Sequence, residues 1–251
     1  MSGHSKWSTI KHKKAAADAK RGKVFTRLAR EITIVAREGG GDPDVNFNLR
    51  LVMDKAKSAN MPKENIERAI KRGTGELKGE DLSEVMYEGY APNGVALLVH
   101  TLTGNKNRTV ADVRRVLTRQ GGALAEAGAV AWQFERKGYI AIAPDGADAD
   151  TIFEVAVEAG ADDVVFGEDL VEVYAELGHF QAVRQALQEA GIEFETAELA
   201  MIPKATLQLE EKQTLQVMAV IDALEELDDT QQVYSNLAIS DEVMAKYEAV
   251  A

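Results

Sequence analysis

The spacing of apolar residues changes near residue 75, and this change limits the fold more than any other feature of the chain. Between residues 20 and 72, apolar side chains recur at intervals of three and four, which predicts three amphipathic helices. Three consecutive glycines starting at Gly39 end the first helix, and Pro62 opens the third. Beyond residue 75, short runs typical of strands alternate with helical segments. The sequence therefore predicts a helical N-terminal domain followed by mixed α/β structure.

Residues 138 to 202 follow the order βαββαβ, which is typical of a ferredoxin-like domain. We expect its first strand at residues 139 to 143 and its last at residues 192 to 199, with a separate strand before it at residues 130 to 134. The strands and helices on either side of this unit lack a complete sheet of their own. We therefore expect these flanking segments to form a single domain that the βαββαβ unit interrupts.

The chain of 251 residues, 45% of them hydrophobic, is long enough for about two or three domains. The predicted fold class is α+β, with an N-terminal three-helix domain followed by two ferredoxin-like α/β domains, one inserted in the other. The expected domains are residues 1–79 (a basic arm plus the helical domain), 80–137 with 203–240 (a discontinuous α/β middle domain), 138–202 (the inserted βαββαβ domain) and 241–251 (a C-terminal tail).

Charge is segregated along the chain. Residues 1 to 72 contain 17 Lys and Arg against 8 Asp and Glu, a net charge of +9 in a protein whose total is -12. The remaining residues therefore carry a net charge of -21. Such asymmetry indicates a polyanionic partner, because Lys and Arg that replace the counterions of phosphates gain affinity for any nucleic acid. A basic, solvated tail without a partner would show the same count.

Two parts of the sequence combine cations with features that suit nucleic acid. Trp7 lies among the cations of the arm, where its ring can stack on an unpaired base or hold the arm against a domain. A polar loop places Lys106 and Arg108 at a helix N-terminus, with Thr109 and Asp112 spaced as a capping box. This loop either binds phosphate or is simply well capped, with solvated cations. The candidate nucleic-acid-binding residues, which include cations opposite the apolar stripe of the first helix, are His4, Lys6, Trp7, Lys11, His12, Lys13, Lys14, Lys20, Arg21, Lys23, Arg27, Arg30, Arg37, Lys106 and Arg108.

No motif in the sequence indicates an enzyme. There is no Cys, no His-x-x-x-His pair and no phosphate-binding loop signature, so we expect no catalytic residue, no metal site and no cofactor. Adjacent acids such as Glu225-Glu226 and Asp228-Asp229 are interpreted as solvated helix ends and turns, although they leave a metal-dependent nuclease as a weaker alternative. The longest apolar run, at residues 95 to 99, is too short to span a bilayer. We therefore expect a cytoplasmic protein, monomeric and without membrane contact.

Several ordered motifs resemble the YebC family. They are G-H-S-K-W at residues 3–7, K-K-A-A at 13–16, D-A-K-R-G-K at 18–23, G-G-G-D-P at 39–43, Y-E-G-Y-A-P-N-G at 87–94, N-R-T at 107–109 and M-I-P at 201–203. Ala91 and Asn93 stand where the family more often has glycine, and both fit the same turn. The resemblance implies a three-domain cytoplasmic protein with one helical and two α/β domains and no enzymatic activity.

The resemblance also implies a function, in two forms. Family members are customarily described as DNA-binding transcriptional regulators, whereas mitochondrial relatives activate translation and bacterial ones are linked to relieving ribosomes stalled on proline-rich stretches. Both forms describe a non-enzymatic, nucleic-acid-binding regulator of gene expression whose partner is DNA or ribosomal RNA. The family's customary name favours DNA. The acidic body and the cations around Trp7 favour an RNA- and ribosome-binding translation factor.

Overall fold

The computed structural model describes residues 7, 18 to 144 and 147 to 250, with the side chains of residues 18 to 21, 241 and 248 to 250 outside this description. The helices are α1 (Asp18–Gly39), α2 (Phe47–Ser58), α3 (Lys63–Gly73), α4 (Lys106–Arg119), α5 (Ala149–Glu158), α6 (Phe180–Glu189), α7 (Glu211–Glu225) and α8 (Asp241–Val250). The strands are β1 (Ser83–Tyr90), β2 (Ala96–Thr103), β3 (Ala123–Leu124), β4 (Phe134–Ile142), β5 (Asp163–Phe166), β6 (Val171–Ala175), β7 (Thr196–Pro203), β8 (Leu207–Gln208), β9 (Thr230–Ser235) and β10 (Leu237–Ala238). Across these described ranges, no helix is both long and apolar enough to cross a membrane.

The three N-terminal helices pack around one apolar cluster. Leu28 and Ile32 of α1 meet Leu49 of α2 and Ile66 of α3 in this core, as their helical spacing predicts. Asn46 lies in the connection between α1 and α2 and bonds to both. Its side chain accepts the backbone N–H of Leu49 at 3.1 Å and donates to two carbonyls at the end of α1. This capping satisfies polar groups that both helix ends would otherwise leave unpaired.

The middle domain is a four-stranded sheet with the order β3-β1-β2-β9. β1 and β2 form an antiparallel hairpin in which Tyr90 pairs with Ala96. Asn93 and Gly94 close it with positive φ values of 64° and 79°, which an Asn-Gly pair adopts at low cost. β9 begins at Thr230, after the last strand of the inserted domain has ended at Pro203. Strands from both sides of the inserted domain therefore build this sheet.

The inserted domain is a second four-stranded sheet, with the order β5-β6-β4-β7. α6 packs closely on β4, since a Cβ added to Gly138 would lie 2.2 Å from the Phe180 ring. The predicted fold class is therefore confirmed: an α+β protein with an N-terminal three-helix domain followed by two α/β domains, one inserted in the other.

The limits of the inserted sheet differ from those predicted. The expected strand at residues 130 to 134 is wrong, because Ala131–Gln133 form a short 3-10 turn, and β4 instead extends the strand expected at residues 139 to 143 back to Phe134. Polar residues at 135 to 137 interrupt the apolar pattern, but β4 keeps its pairing with β7 from Phe134↔Pro203 to Ala141↔Thr196. The last strand accordingly runs from Thr196 to Pro203 rather than from residue 192 to 199.

The described residues divide into two compact units. One contains the described residues from 18 to 131 together with 215 to 234, and so includes the helical domain and the middle sheet. The other contains Trp7, the described residues from 132 to 214 and those from 235 to 250. The domain limits at residues 79, 137, 202 and 240 stay a prediction.

Candidate nucleic-acid interface

Part of the predicted interface lies outside the described residues. This holds for His4, Lys6, Lys11, His12, Lys13 and Lys14 of the arm, and for the side chains of Lys20 and Arg21. Trp7 is described, and only 1% of its surface is exposed. Its ring meets the ring of Tyr247 edge to face, with centroids 5.7 Å apart. Of the two roles open to Trp7, the structure thus shows packing against a domain.

The cations of α1 contact an acidic turn of the same compact unit, which we define as residues 225 to 229. Lys23 Nζ lies 3.0 Å from a Glu226 carboxylate oxygen, and the Arg27 guanidinium donates to the Glu225 carbonyl. Burial lowers the pKa of Arg27 below its ordinary value, although the nearby acids oppose this shift. Of the four acids of the acidic turn, which the sequence predicts to be solvated, Glu226 and Asp228 are exposed, whereas Glu225 and Asp229 are buried.

Asp229 is the centre of these contacts. Its carboxylate, with a side chain only 6% exposed, accepts bonds from Arg30 Nη1 at 3.1 Å and Arg108 Nη2 at 2.7 Å. The hydroxyls of Thr103 and Thr109 donate to the same carboxylate at 3.1 Å and 2.7 Å. Burial alone would raise the pKa of Asp229. The hydrogen bonds from Arg108 and Thr109 and the charges of both arginines outweigh burial, and the pKa lies below its ordinary value.

The loop around Arg108 differs from the prediction in its capping. α4 begins at Lys106, and its N-cap is Asn105, whose side chain accepts the Arg108 N–H at 3.1 Å. Thr109 therefore lies inside the first turn, where its hydroxyl turns toward Asp229 instead of capping the helix. Helical periodicity places the apolar face of this helix but not its first residue, because the first turn here is entirely polar.

The remaining two predicted cations lie apart from Asp229. Arg37 donates to the Leu82 carbonyl at 2.7 Å and lies 3.5 Å from Asp81. Lys106 is exposed, and across the described ranges no carboxylate pairs with its ammonium group. The structure thus brings Arg30 and Arg108 together, whereas Arg37 and Lys106 stand elsewhere.

A groove of about 470 Å³ lies beside α1 and α3, and most of its cations are not among the residues predicted from the sequence. Arg30, Arg68, Arg72 and Lys78 line it with a single acid, Glu80. Arg68, Arg72 and Lys78 are exposed and have no carboxylate partner within the part of the chain that the structure describes. Their spacing was a usable signal, because Arg68 and Arg72 are four residues apart on the face of α3 opposite Ile66.

The groove also has an apolar floor. Phe25 and Ala29 of α1, Met61 before α3 and Leu82 before β1 line it beneath the cations. An apolar floor under a cationic rim suits a ligand that combines a flat, weakly polar ring with a phosphate. We call this feature, with its rim of Arg30, Arg68, Arg72 and Lys78, the cationic groove.

Two family models together match most of the chain. Residues 5–76 match the TACO1/YebC protein N-terminal domain, and residues 82–237 match the TACO1/YebC second and third domain. The chain belongs to the TACO1/YebC family. The cationic groove thus lies mainly in the N-terminal domain of a TACO1/YebC protein, and Lys78 lies in the short stretch between the two matched segments.

TACO1/YebC relatives from several bacteria are similar over nearly their whole length. A protein of Acidithiobacillus ferrooxidans is 55% identical over 251 residues, covering 100% of both chains. Proteins of Geobacter sulfurreducens and Desulforapulum autotrophicum are each 54% identical, covering 98% and 97% of this chain and 99% and 98% of their own. All three are named probable transcriptional regulatory proteins. The resemblance to the YebC family is therefore confirmed.

A solved structure has the same fold. The crystal structure of a conserved hypothetical protein from Aquifex aeolicus superimposes with a TM-score of 0.83 at 45% sequence identity. It covers 89% of this chain and 93% of its own.

Proposed function

We propose that this protein is a non-enzymatic regulator of gene expression that binds nucleic acid in the cationic groove. The observation that carries the proposal is the set of three exposed cations around one groove, Arg68, Arg72 and Lys78, which have no carboxylate partner among the described residues. A role in regulation is supported by the relatives, which are named probable transcriptional regulatory proteins. We propose that the protein acts in the cytoplasm.

The cations of α1 that the sequence predicts to bind nucleic acid are less suitable. Lys23, Arg27 and Arg30 already contact the acidic turn, and a phosphate would have to compete with the Glu226 carboxylate, the Glu225 carbonyl and the Asp229 carboxylate to reach them. Arg68, Arg72 and Lys78 of the rim require no such exchange, because no carboxylate among the described residues pairs with them. Arg68 and Arg72 can each offer a guanidinium fork to a phosphate, and Lys78 adds a point charge.

The shape of the groove favours an unpaired nucleotide over a smooth duplex. An unpaired base can lie against Phe25 and Met61 while its phosphate meets the rim, whereas the bases of a duplex are stacked inside the helix and cannot reach the floor. The net charge of -12 opposes a long duplex lying along the whole protein. We therefore place single-stranded RNA first, including exposed loops of ribosomal RNA. Duplex DNA is the second candidate, because the relatives are named as transcriptional regulators.

The test compares two triple variants that lose the same charge. The groove variant is Arg68→Ala, Arg72→Ala and Lys78→Ala. The control is Lys57→Ala, Lys63→Ala and Lys71→Ala, which removes three exposed cations of α2 and α3 that do not line the groove. Fluorescence anisotropy with labelled single-stranded RNA, single-stranded DNA and duplex DNA of one sequence gives the affinity at several salt concentrations.

The expected result is specific to the groove variant. Each lost phosphate contact lowers the slope of log affinity against log salt by about 0.7 for a single strand, so three contacts lower it by about 2. The control variant should keep the wild-type slope. An equal loss of affinity in both variants would show only general attraction between charges. Unchanged affinity of the groove variant would show that the groove is not part of the binding site. Tighter binding of duplex than of either single strand would favour promoter DNA.

A further inference from the structure

Trp132 is an exposed aromatic side chain in the compact unit that does not contain the cationic groove. Its side chain is 68% exposed, whereas the other tryptophan of the chain, Trp7, is only 1% exposed. A tryptophan buries a large apolar surface when it packs, so one left in solvent gives up that gain. The combination of ring and cation that the sequence offered at Trp7 is available in the structure at Trp132.

The backbone beneath Trp132 is held firmly. Lys204 Nζ donates to the Trp132 carbonyl at 3.0 Å, and the Lys204 backbone N–H donates to the Gln133 carbonyl at 2.8 Å. The Asn236 side chain also donates to the Gln133 side chain at 3.3 Å. These bonds fix the turn that carries the indole, so a ligand stacking on the ring has little backbone entropy to remove.

We propose that Trp132 and Lys204 form a stacking site for one unpaired base of single-stranded nucleic acid. The indole stacks on the base, and the Lys204 ammonium, which spends one of its three N–H donors on the Trp132 carbonyl, binds the adjoining phosphate with the others. The inference rests on the proposed function for the class of ligand. Both residues of the stacking site belong to the compact unit that does not contain the cationic groove.

The surroundings of Trp132 favour a base over a protein partner. The side chains bonded to its turn are polar and include those of Lys204 and Asn236, whereas aromatic anchors of protein interfaces sit inside a ring of well-packed contacts that exclude water. Lys204 also lines a groove of about 380 Å³, but Glu135 and Asp163 line it as well. Those carboxylates repel phosphate, so the site is confined to Trp132 and Lys204.

Tryptophan fluorescence tests the stacking directly, because the chain has two tryptophans and one is buried. Wild type, Trp132→Phe, Trp132→Ala and Lys204→Gln are titrated with a short single-stranded oligoadenylate and with an abasic strand of equal length. Stacking should quench the wild-type emission with oligoadenylate but not with the abasic strand. Trp132→Phe should lose the quenching and keep most of the affinity, since phenylalanine still stacks.

The affinities provide the second readout. Trp132→Ala should bind oligoadenylate about 5- to 100-fold more weakly, in line with the loss of one base–aromatic stack. Lys204→Gln should lower the salt slope by about 0.7. Unchanged affinity of Trp132→Ala, with no quenching in wild type, would overturn the inference. In that case, binding of oligoadenylate by wild type but not by the groove variant would mean that only the stacking site is overturned. If wild type binds no strand at all, the proposed function fails as well.

Discussion

Replacing Asp229 by Asn should destabilise the compact unit that holds the helical domain and the middle sheet. The Asp229 carboxylate is 6% exposed and accepts bonds from Arg30, Thr103, Arg108 and Thr109. Asparagine keeps the shape of the side chain but removes its charge. Its amide has one oxygen that accepts hydrogen bonds, whereas the carboxylate has two. Two guanidinium groups then lose their counter-ion, and one donor faces another donor.

The size of the effect follows from the burial of each partner. Removing one member of a fully buried ion pair costs about 3 to 5 kcal/mol, because the other charge stays uncompensated. Here the Arg108 side chain is 56% exposed and can be rehydrated, whereas the Arg30 side chain is 18% exposed. We therefore expect a loss of about 2 to 3 kcal/mol in the free energy of unfolding, within the range for hydrogen bonds to charged groups. For a chain of this size, that lowers Tm by roughly 4 to 12 °C.

Urea and thermal unfolding, followed by circular dichroism, measure this loss. Asp228→Asn is the matched control, because Asp228 is exposed and only its backbone carbonyl binds Arg30. The control makes the same charge change one residue away and should shift stability by less than about 0.5 kcal/mol. If the two variants unfold alike, the contacts at Asp229 contribute nothing, and the reasoning is refuted.

The pH dependence gives an independent check on Asp229. Its folded-state pKa lies below the ordinary value of 3.8, so the folded protein binds this proton later than the unfolded chain does. The carboxylate therefore stabilises the fold above pH 3.8, and this stability is lost as the pH falls from there through the lower folded-state pKa. The difference in stability between wild type and Asp229→Asn should narrow over that acid range. A constant difference would contradict the depressed pKa.

Three further changes test other parts of the fold. Glu88→Gln should cost about 2 kcal/mol in urea unfolding, because the buried carboxylate accepts three backbone N–H groups at 2.6 to 2.8 Å and glutamine leaves one of its two acceptors; wild-type stability would contradict this. Gly138→Ala should cost about 1 to 3 kcal/mol, since its Cβ would overlap the fully buried Phe180 ring, whereas Gly178→Ala meets nothing within 4 Å and is the control. Burial and the Glu172 charge raise the pKa of Tyr174 above its ordinary 10.0, so the fold should lose stability as the pH rises past 10.0. In an absorbance titration, wild type and Tyr174→Phe should show the same number of tyrosine ionisations below the pH at which the protein unfolds. One fewer ionisation in Tyr174→Phe would show that Tyr174 ionises freely in the folded protein.

The sequence alone predicts the parts of the fold that depend on local patterns. Helical spacing identifies the core of the three N-terminal helices, and Asn93-Gly94 identifies the hairpin turn. The length of β4 could not be predicted in this way. Its polar stretch at residues 135 to 137 resembles a loop, and only the pairing with β7 makes it a strand. Tertiary pairing overrides local preference at such a position.

The candidate site was predictable only in part, for a related reason. The sequence indicates that the N-terminal region is cationic, but not which cations its own acids neutralise. Arg30 and Asp229 are separated by 199 positions, and no local pattern relates them. The cations of α1 stood out because they lie opposite an apolar stripe, yet the structure leaves Arg68, Arg72 and Lys78 exposed instead. Charge counts thus locate a cationic region better than they select the cations that stay exposed.

The place of β9 in the middle sheet has a consequence for how the chain is made. At about 5 to 20 residues per second, Arg30 leaves the ribosome roughly 10 to 40 s before Asp229, given their separation of 199 positions. Throughout that interval the nascent helix has no acidic turn to neutralise it. Folding of the inserted domain pairs Phe134, near its start, with Pro203, near its end. The chain therefore returns to the middle domain next to the point where it left that domain. This shortens the loop that must close and lowers its entropy cost. Folding of the inserted domain before β9 is made would therefore favour completion of the sheet around it.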